Sequence, residues 1–541
     1  MEPSQTVASL LGRVGLPMPV ADLARRRFDV VVVGGGHNGL TCAAYLAKAG
    51  LDVLVLEARD HLGGACTLEQ PWPQLDEGDA SYVVSPCAYL LGLLDGRVVD
   101  ELELRRHGLE YYLADPDPFT PYEDGTAFVQ WLDDAKTDRS LDQLGVSRRD
   151  RDGYWAFHRF FAEIRRRLRQ GARDTWLGDS PSRAEIEELL GHEQAMVDVL
   201  FEASVAEVLA EHMSDSRLVD ALFAGGIIGT YAGPKDPGTA SVKLMHRMGE
   251  LDGRGGVWAY VKGGMGTVSF LIAEAAREAG ALLAAGTPVA RILPGEGVVL
   301  DDGTRIAAAD VVSNADPKVL LGLLEGAGVP QGMRQRLESW DVRSATVKLN
   351  AALDRLPSFT AAPRDTSIAL GTLDLSRGVE ATQGAFERCR AGEPVLAFAE
   401  AYFQTGHDPS VAPPGRHVMS VFSQYAPYEL AGGQSWAVVR ESVAHQIIDL
   451  VESFAPGFAA SILAYEVLGP PDIEERNGLS GGHIFQGSVL PHQMWEHRLA
   501  PRTELPHVYL CGAATHPAGS VVALNGRNAA TALLADRSRA R

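Results

Sequence analysis

Cysteine is scarce in this sequence: Cys42, Cys66, Cys87, Cys389 and Cys511 are the only five in 541 residues, and no two form a C-x-x-C pair. An odd, scattered set is no disulfide framework, and no zinc-ligand spacing occurs. A reducing, cytoplasmic compartment and no metal are expected. Long apolar runs are missing as well. None reaches the about 18 residues of a spanning helix, which leaves peripheral contact as the furthest approach to a membrane. Positive charge is in deficit, with 49 Lys and Arg against 70 Asp and Glu and a net charge of -21. That excludes nucleic acid as a partner, because phosphate backbones are bound by basic surface. One local exception is Arg165-Arg166-Arg167-Leu168-Arg169. It reads as the solvated face of a helix, with contact to anionic lipid or an acidic substrate as the sharper alternative. Residues 1–27 lack a secretory apolar core. They read as an N-terminal extension: a short helix near Val7–Arg13, then a linker with Pro17 and Pro19. A tail, a surface anchor or a contact in a homo-oligomer are its open readings.

What is present is a globular composition, 46% apolar and 22% charged. The chain is too long for one ordinary core, so two domains are expected. Phe28–Val33 is a continuous β-branched run, the mark of a strand buried on both faces. Asn38–Ala49 has helical spacing, and Asp52–Leu56 is a second apolar strand. Together they make a βαβ unit with a parallel crossover. Between its first strand and its helix stand Gly34, Gly36 and Gly39 in G-x-G-x-x-G spacing. The first glycine permits the tight turn, the second lets a diphosphate approach the backbone, and the third allows close helix packing. The helix N-terminus, at His37 and Asn38, offers free N–H groups to phosphate. Glu57 follows at the end of the second strand, where an acidic side chain meets ribose hydroxyls. His37, beside the turn, is read as a phosphate contact rather than a catalyst.

The motif then runs on through Glu57, Ala58 and Arg59 to Gly63-Gly64-Ala65, a second close backbone approach. This resembles the extended dinucleotide motif of FAD proteins of the glutathione reductase structural class. The arginine that amine oxidases usually carry after Gly-Gly is replaced by Ala65. A second anchor, His507–Ser520 followed by Val521–Ala530, resembles the C-terminal FAD motif of the phytoene desaturase-like oxidoreductases. Gly229–Thr239, Val257–Gly266 and Gly481–Gln486 resemble the subgroup that contains pyridine nucleotide-disulfide oxidoreductase domain-containing protein 2. The resemblance spans Phe28 to Ala535. It implies that Gly512, Gly519, Val521 and Val522 lie along the flavin, that Val289 meets adenine through its backbone, and that Trp258 and Tyr260 border the cavity over the flavin. Ser520 stands where the family has glycine, and Leu524-Asn525 stand where it has small residues or proline.

The resulting expectation is an α/β fold. A glutathione-reductase-like FAD-binding Rossmann domain, built from 28–88, 255–317 and 505–541, is interleaved with an α+β substrate domain built from 89–254, mostly helical, and 318–504. The helical part includes Arg151–Gln170 and Arg183–Ala210. No second G-x-G-x-x-G follows a strand, so oxygen or a quinone-like acceptor is expected to reoxidise the flavin. The family implies dehydrogenation, saturation or isomerisation of C–C bonds in an apolar, elongated small molecule such as a polyene. An amine-oxidase-like attack on a C–N bond, with an aromatic cage from Trp258 and Tyr260, is the first alternative. A flavin-binding interaction protein is the second. No residue stands out as the catalyst; His483, Tyr260, Ser520 and Asn525 are the candidates, and His483 and His516 read more naturally as hydrogen-bonding groups.

Overall fold

The computed structural model describes residues 11–540. The helix expected near Val7–Arg13 lies largely outside them. Two seven-stranded sheets organise the chain. In the first, Arg27–Val33 pairs in parallel with Val53–Leu56 on one side and with Arg305–Ser313 on the other, and Val53–Leu56 pairs with Leu282–Ala284. Alternate residues of the opening strand enter different cores. Val30 and Val32 pack with Leu40, Ala43 and Leu46 of the helix His37–Lys48, while Phe28, Val31 and Val33 pack with Ile306, Leu320 and Val508 on the other face. This is why Val30–Val33 is apolar throughout instead of alternating.

Arg305–Ser313 is longer than the expected Asp310–Ser313 because the edge away from Arg27–Val33 serves two partners in turn. Its start pairs antiparallel with Gly297–Leu300 across the Asp301-Asp302-Gly303 hairpin, and its end pairs in parallel with Val508–Leu510. The C-terminal strand, nearly 500 residues from the first, thus joins the same sheet.

The second sheet runs Ile462–Leu468, Val347–Leu353, His417–Gln424, Phe398–Tyr402, Thr372–Ser376, Phe119–Pro121, Ala127–Val129. Its apolar face holds Val347, Leu349, Ala399, Ala401 and Val421 against Val443, Ile447 and Val451 of the helix Trp436–Phe454. Period-two alternation puts Lys348, Asn350, Asp374, Glu400 and Tyr402 on the opposite face.

Two expectations are corrected. Arg183–Ala210 is not one helix but three, Arg183–Leu189, Gln194–Phe201 and Val205–His212. Gly191 and His192 take left-handed conformations (φ 66° and 54°), and Ser204 with Glu207 forms a capping box that starts the third helix. The arginine run at the end of Arg148–Gln170 is not simply solvated. Arg169 pairs with Asp95 at 2.6 Å and Asp174 at 2.9 Å, and Arg167 pairs with Glu163 and Glu193. Among the described residues no helix is long and apolar enough to cross a membrane.

Candidate functional site

The glycine turn between strand and helix is held from two sides. Gly34 has φ 101°, a conformation that side-chain-bearing residues seldom adopt, and its N–H donates to Leu56 O at 2.8 Å. Glu57 Oε2 accepts from the Gly35 N–H at 2.7 Å, while Oε1 accepts from Arg59 N at 2.9 Å. The second turn closes on the first: Gly63 N donates to Gly35 O at 2.9 Å, and Arg59 grips Gly64 O at 2.6 Å. A Cβ on Gly36 would stand 2.8 Å from Asn314 Nδ2, and one on Gly39 would stand 2.1 Å from Gly34 O. Gly39 is therefore demanded by backbone contact, while at Gly36 only the tip of the Asn314 side chain stands close.

At the N-terminus of the following helix, His37 Nε2 and Asn38 Oδ1 are buried without a partner. Burial pushes the His37 imidazole down to about 4, so it is neutral. Free helix N–H groups, two unpartnered polar atoms and a cradle without Cβ atoms fit the diphosphate of a dinucleotide.

These residues open into one cavity of about 390 Å³. Gly34, Gly36, His37, Asn38, Glu57, Ala58, Gly63, Gly64, Ala65, Val289, Ser520 and Val521 all line it, as does Trp258. The C-terminal segment reaches it through a strained turn. Ala518, Ser520 and Ala523 have φ of 104°, 73° and 66°. A left-handed Ser520 explains why glycine suits this position better.

Some expected residues stand behind the wall. Gly39, Gly512, Gly519 and Val522 do not line the cavity; a Cβ on Gly512 would meet Gln486 Oε1 at 2.4 Å, and one on Gly519 would meet Phe485 at 2.5 Å. Three catalytic candidates are withdrawn on geometry. Tyr260 is fully buried and its hydroxyl donates to Gly371 O, so it cannot face Trp258 across a cage. His483 is buried outside the cavity, and burial pushes it down to about 3. Asn525 donates through Nδ2 to Thr515 O at 2.9 Å and Ala518 O at 3.1 Å, bracing the C-terminal turn from behind. His516 likewise hydrogen-bonds to Thr175 O at 2.6 Å.

The second sheet supplies a wall that sequence reasoning missed. Asp117, Asp374, Glu400, Lys243, Arg247 and Lys348 all line the cavity. Asp374 and Glu400 are cross-strand partners. Burial pushes both carboxyls up, Glu400 to about 7. Asp117 accepts from Thr372 Oγ1 at 2.6 Å. Burial, then the Arg247 charge, pushes Lys243 down to about 7; its ammonium donates to Leu222 O. Lys348 Nζ donates to Ser420 Oγ at 2.7 Å and lies 3.7 Å from the centre of the Tyr89 ring. Tyr89 stacks on Tyr402 at 4.4 Å, and the Tyr402 hydroxyl donates to Glu400. A signal was available: Leu373-Asp374-Leu375, Ala399-Glu400-Ala401 and Val347-Lys348-Leu349 each set a charge inside an apolar strand.

Comparison with known proteins agrees with this geometry. Residues 32–85 match the NAD(P)-binding Rossmann-like domain, and residues 116–534 match the flavin containing amine oxidoreductase family. The mouse pyridine nucleotide-disulfide oxidoreductase domain-containing protein 2 is 34% identical over 94% of each chain. A lycopene-forming phytoene desaturase of Paracoccus is 26% identical over 93% of this chain and 96% of its own. Cyclohexylamine oxidase from Brevibacterium oxydans superposes with a TM-score of 0.57 at 19% identity, covering 95% of this chain and all of that one. The chain belongs to the flavin containing amine oxidoreductase family and is an FAD-dependent oxidoreductase.

Proposed function

We propose that this enzyme oxidises a substrate bearing a cationic group, at a C–N bond. One observation carries the reading: Asp374 and Glu400 of the second sheet and Asp117 of the loop before its strand Phe119–Pro121 gather on one cavity wall. Lys243, Arg247 and Lys348 line the same wall, yet burial still holds these carboxyls up, and a substrate ammonium would restore their charge. An elongated polyene would bury the same groups with nothing in exchange. The amine named for the Brevibacterium oxidase, and the putrescine seen bound in a structurally similar putrescine oxidase, have this chemistry.

In this reading the domain is of the glutathione reductase type. The His37 and Asn38 end of the helix would hold the diphosphate, Glu57 the ribose, Val289 the adenine, and Gly63–Ala65 with Ser520 and Val521 the flavin. When bound, FAD supplies the oxidant that takes hydride from the substrate carbon. The chain's own residues do the rest. Trp258, Phe422, Ile484 and Phe485 exclude water, and the carboxyl wall orients the cation. Oxygen or a quinone-like molecule is the acceptor. A second reading, C–C dehydrogenation of an apolar substrate, is favoured by Ala65 in place of an arginine and by the desaturase relative.

Anaerobic addition of alkylamines and of polyenes to the holoenzyme decides between them. Bleaching of the flavin by amines, lost in Asp374→Asn, is the expected result. Bleaching by polyenes alone would overturn it.

A further inference from the structure

Behind the cavity wall lies a cation with no acidic partner. Arg498 is 2% exposed. Its Nη2 donates to Phe485 O at 2.9 Å and Ala513 O at 2.6 Å, and Nη1 donates to Ser488 O at 2.8 Å. Nε has no partner, and the nearest ring, Trp340, lies 5.5 Å away. Among the described residues no carboxylate forms an ion pair with this guanidinium. Arg169, more exposed at 12% of its side chain, has two. A buried charge left without a counter-ion is costly, and carbonyl dipoles only partly replace water.

The surroundings do not compensate it. His483 and His516, the titratable groups that feel its charge, are kept neutral, pushed down to about 3 and about 4 by burial first and by Arg498 in addition. Asp341, on the far side of His483, is already paired with Arg343 at 2.8 Å. Burial lowers Arg498 itself only to about 9, so it stays charged at neutral pH.

Its position matters because two of the carbonyls it holds belong to the cavity wall. Phe485 and Ala513 both line the cavity, as does Gln486 between them in space, whose Oε1 accepts from Ala514 N at 3.2 Å. Ala513 lines the same cavity as Ser520 and Val521, which in the reading above hold the flavin. Hydride transfer from substrate carbon delivers two electrons and one proton, which leaves the reduced ring with one added negative charge. A fixed positive charge held behind the wall of a cavity that takes the flavin would stabilise that form and do nothing for the neutral oxidised ring.

We propose that Arg498 is the counter-charge for the reduced flavin: a positioning residue, outside the cavity, that raises the midpoint potential of the bound FAD. The inference rests on the proposed reading in which Ser520 and Val521 hold the flavin.

The test uses the FAD-loaded enzyme and its Arg498→Met and Arg498→Lys variants, with dye-coupled reduction to read the potential. In Arg498→Met the potential should become more negative, with the equilibrium constant for reduction falling about tenfold or more. Arg498→Lys keeps the charge but loses part of the carbonyl grip, so its potential should stay near that of the parent while FAD is released faster. Loss of FAD affinity in Arg498→Met without any change in potential would overturn the proposal and leave Arg498 a brace. Should Arg498→Met not fold, the parent enzyme still decides. A reduced-flavin spectrum of the anionic form at neutral pH is expected, and the neutral form would overturn the idea. Failure of the placement is recognised separately, by a Val521→Trp variant that binds FAD with an unshifted visible band.

Discussion

The Glu57 carboxylate and the Gly35 main-chain N–H are joined by a 2.7 Å hydrogen bond. The residue that the sequence offers as a ribose ligand therefore also fixes the dinucleotide turn from below, because its other oxygen holds Arg59 N.

Replacing Glu57 by Gln removes one of two charge-assisted acceptors. A loss of about 1.5–3 kcal/mol in stability is expected, together with lower FAD occupancy. Thermal melting of the apoprotein and flavin absorbance per chain measure the two effects. Unchanged melting would show that the Gly35 bond adds nothing.

Gly39→Ala should be far worse than its single methyl suggests. The new Cβ would stand 2.1 Å from Gly34 O, a backbone atom that cannot move without opening the turn. Overpacking of this kind costs about 1–3 kcal/mol or more. Gly322→Ala is the control. It lies in the helix Pro317–Leu323 with nothing within 4 Å of its added Cβ, so a gain of up to about 1 kcal/mol is expected. Urea denaturation of both variants checks the contrast.

The carboxyl wall gives stability a pH signature. Burial raises Glu400 from an ordinary 4.5 to about 7. A raised carboxyl contributes stability that is complete below its unfolded value and is lost as pH rises through its folded value. Glu400→Gln should therefore flatten the fall in stability between about pH 4.5 and about pH 7. Equal slopes for the two proteins in denaturant titrations across that range would remove Glu400 from the wall's buried charge. A substrate ammonium should reduce the same slope in the parent enzyme.

Ser520→Gly should stabilise the protein. The left-handed φ of 73° costs a residue with a Cβ about 1–2 kcal/mol, while glycine's greater freedom in the unfolded chain returns about 0.4–1 kcal/mol of that. A melting temperature higher by a few degrees, with FAD retained, is the expected outcome. A drop would mean that the Ser520 hydroxyl does more in the cavity than its backbone costs.

The dinucleotide half of this site was legible because its chemistry is local. Gly34, Gly36 and Gly39 are spaced within one βαβ unit, although Asn314 from outside it also packs against all three, and Glu57 ends the strand next to them. Spacing alone carries that information. The interruption of Arg183–Ala210 was less legible, since a left-handed His192 leaves no compositional trace. The catalytic candidates failed for a different reason. Tyr260, His483 and Asn525 lie close in sequence to motifs that reach the cavity, yet none lines it and each has a polar atom bonded to a backbone group.

Alternating strands determine which residues share a face, so the sequence by itself put Glu400 with Tyr402 and Lys348 with Asn350. It also determined an FAD-type dinucleotide turn, since steric exclusion around glycine is decided by nearest neighbours. Only the tertiary structure decided which face meets the cavity, and that Asp117, Asp374 and Glu400, from separate strands and loops, meet there. Burial is a property of the assembled sheets. It alone turns surface-type charges into a wall of displaced pKa values, and leaves Arg498 without a counter-ion behind the cavity wall.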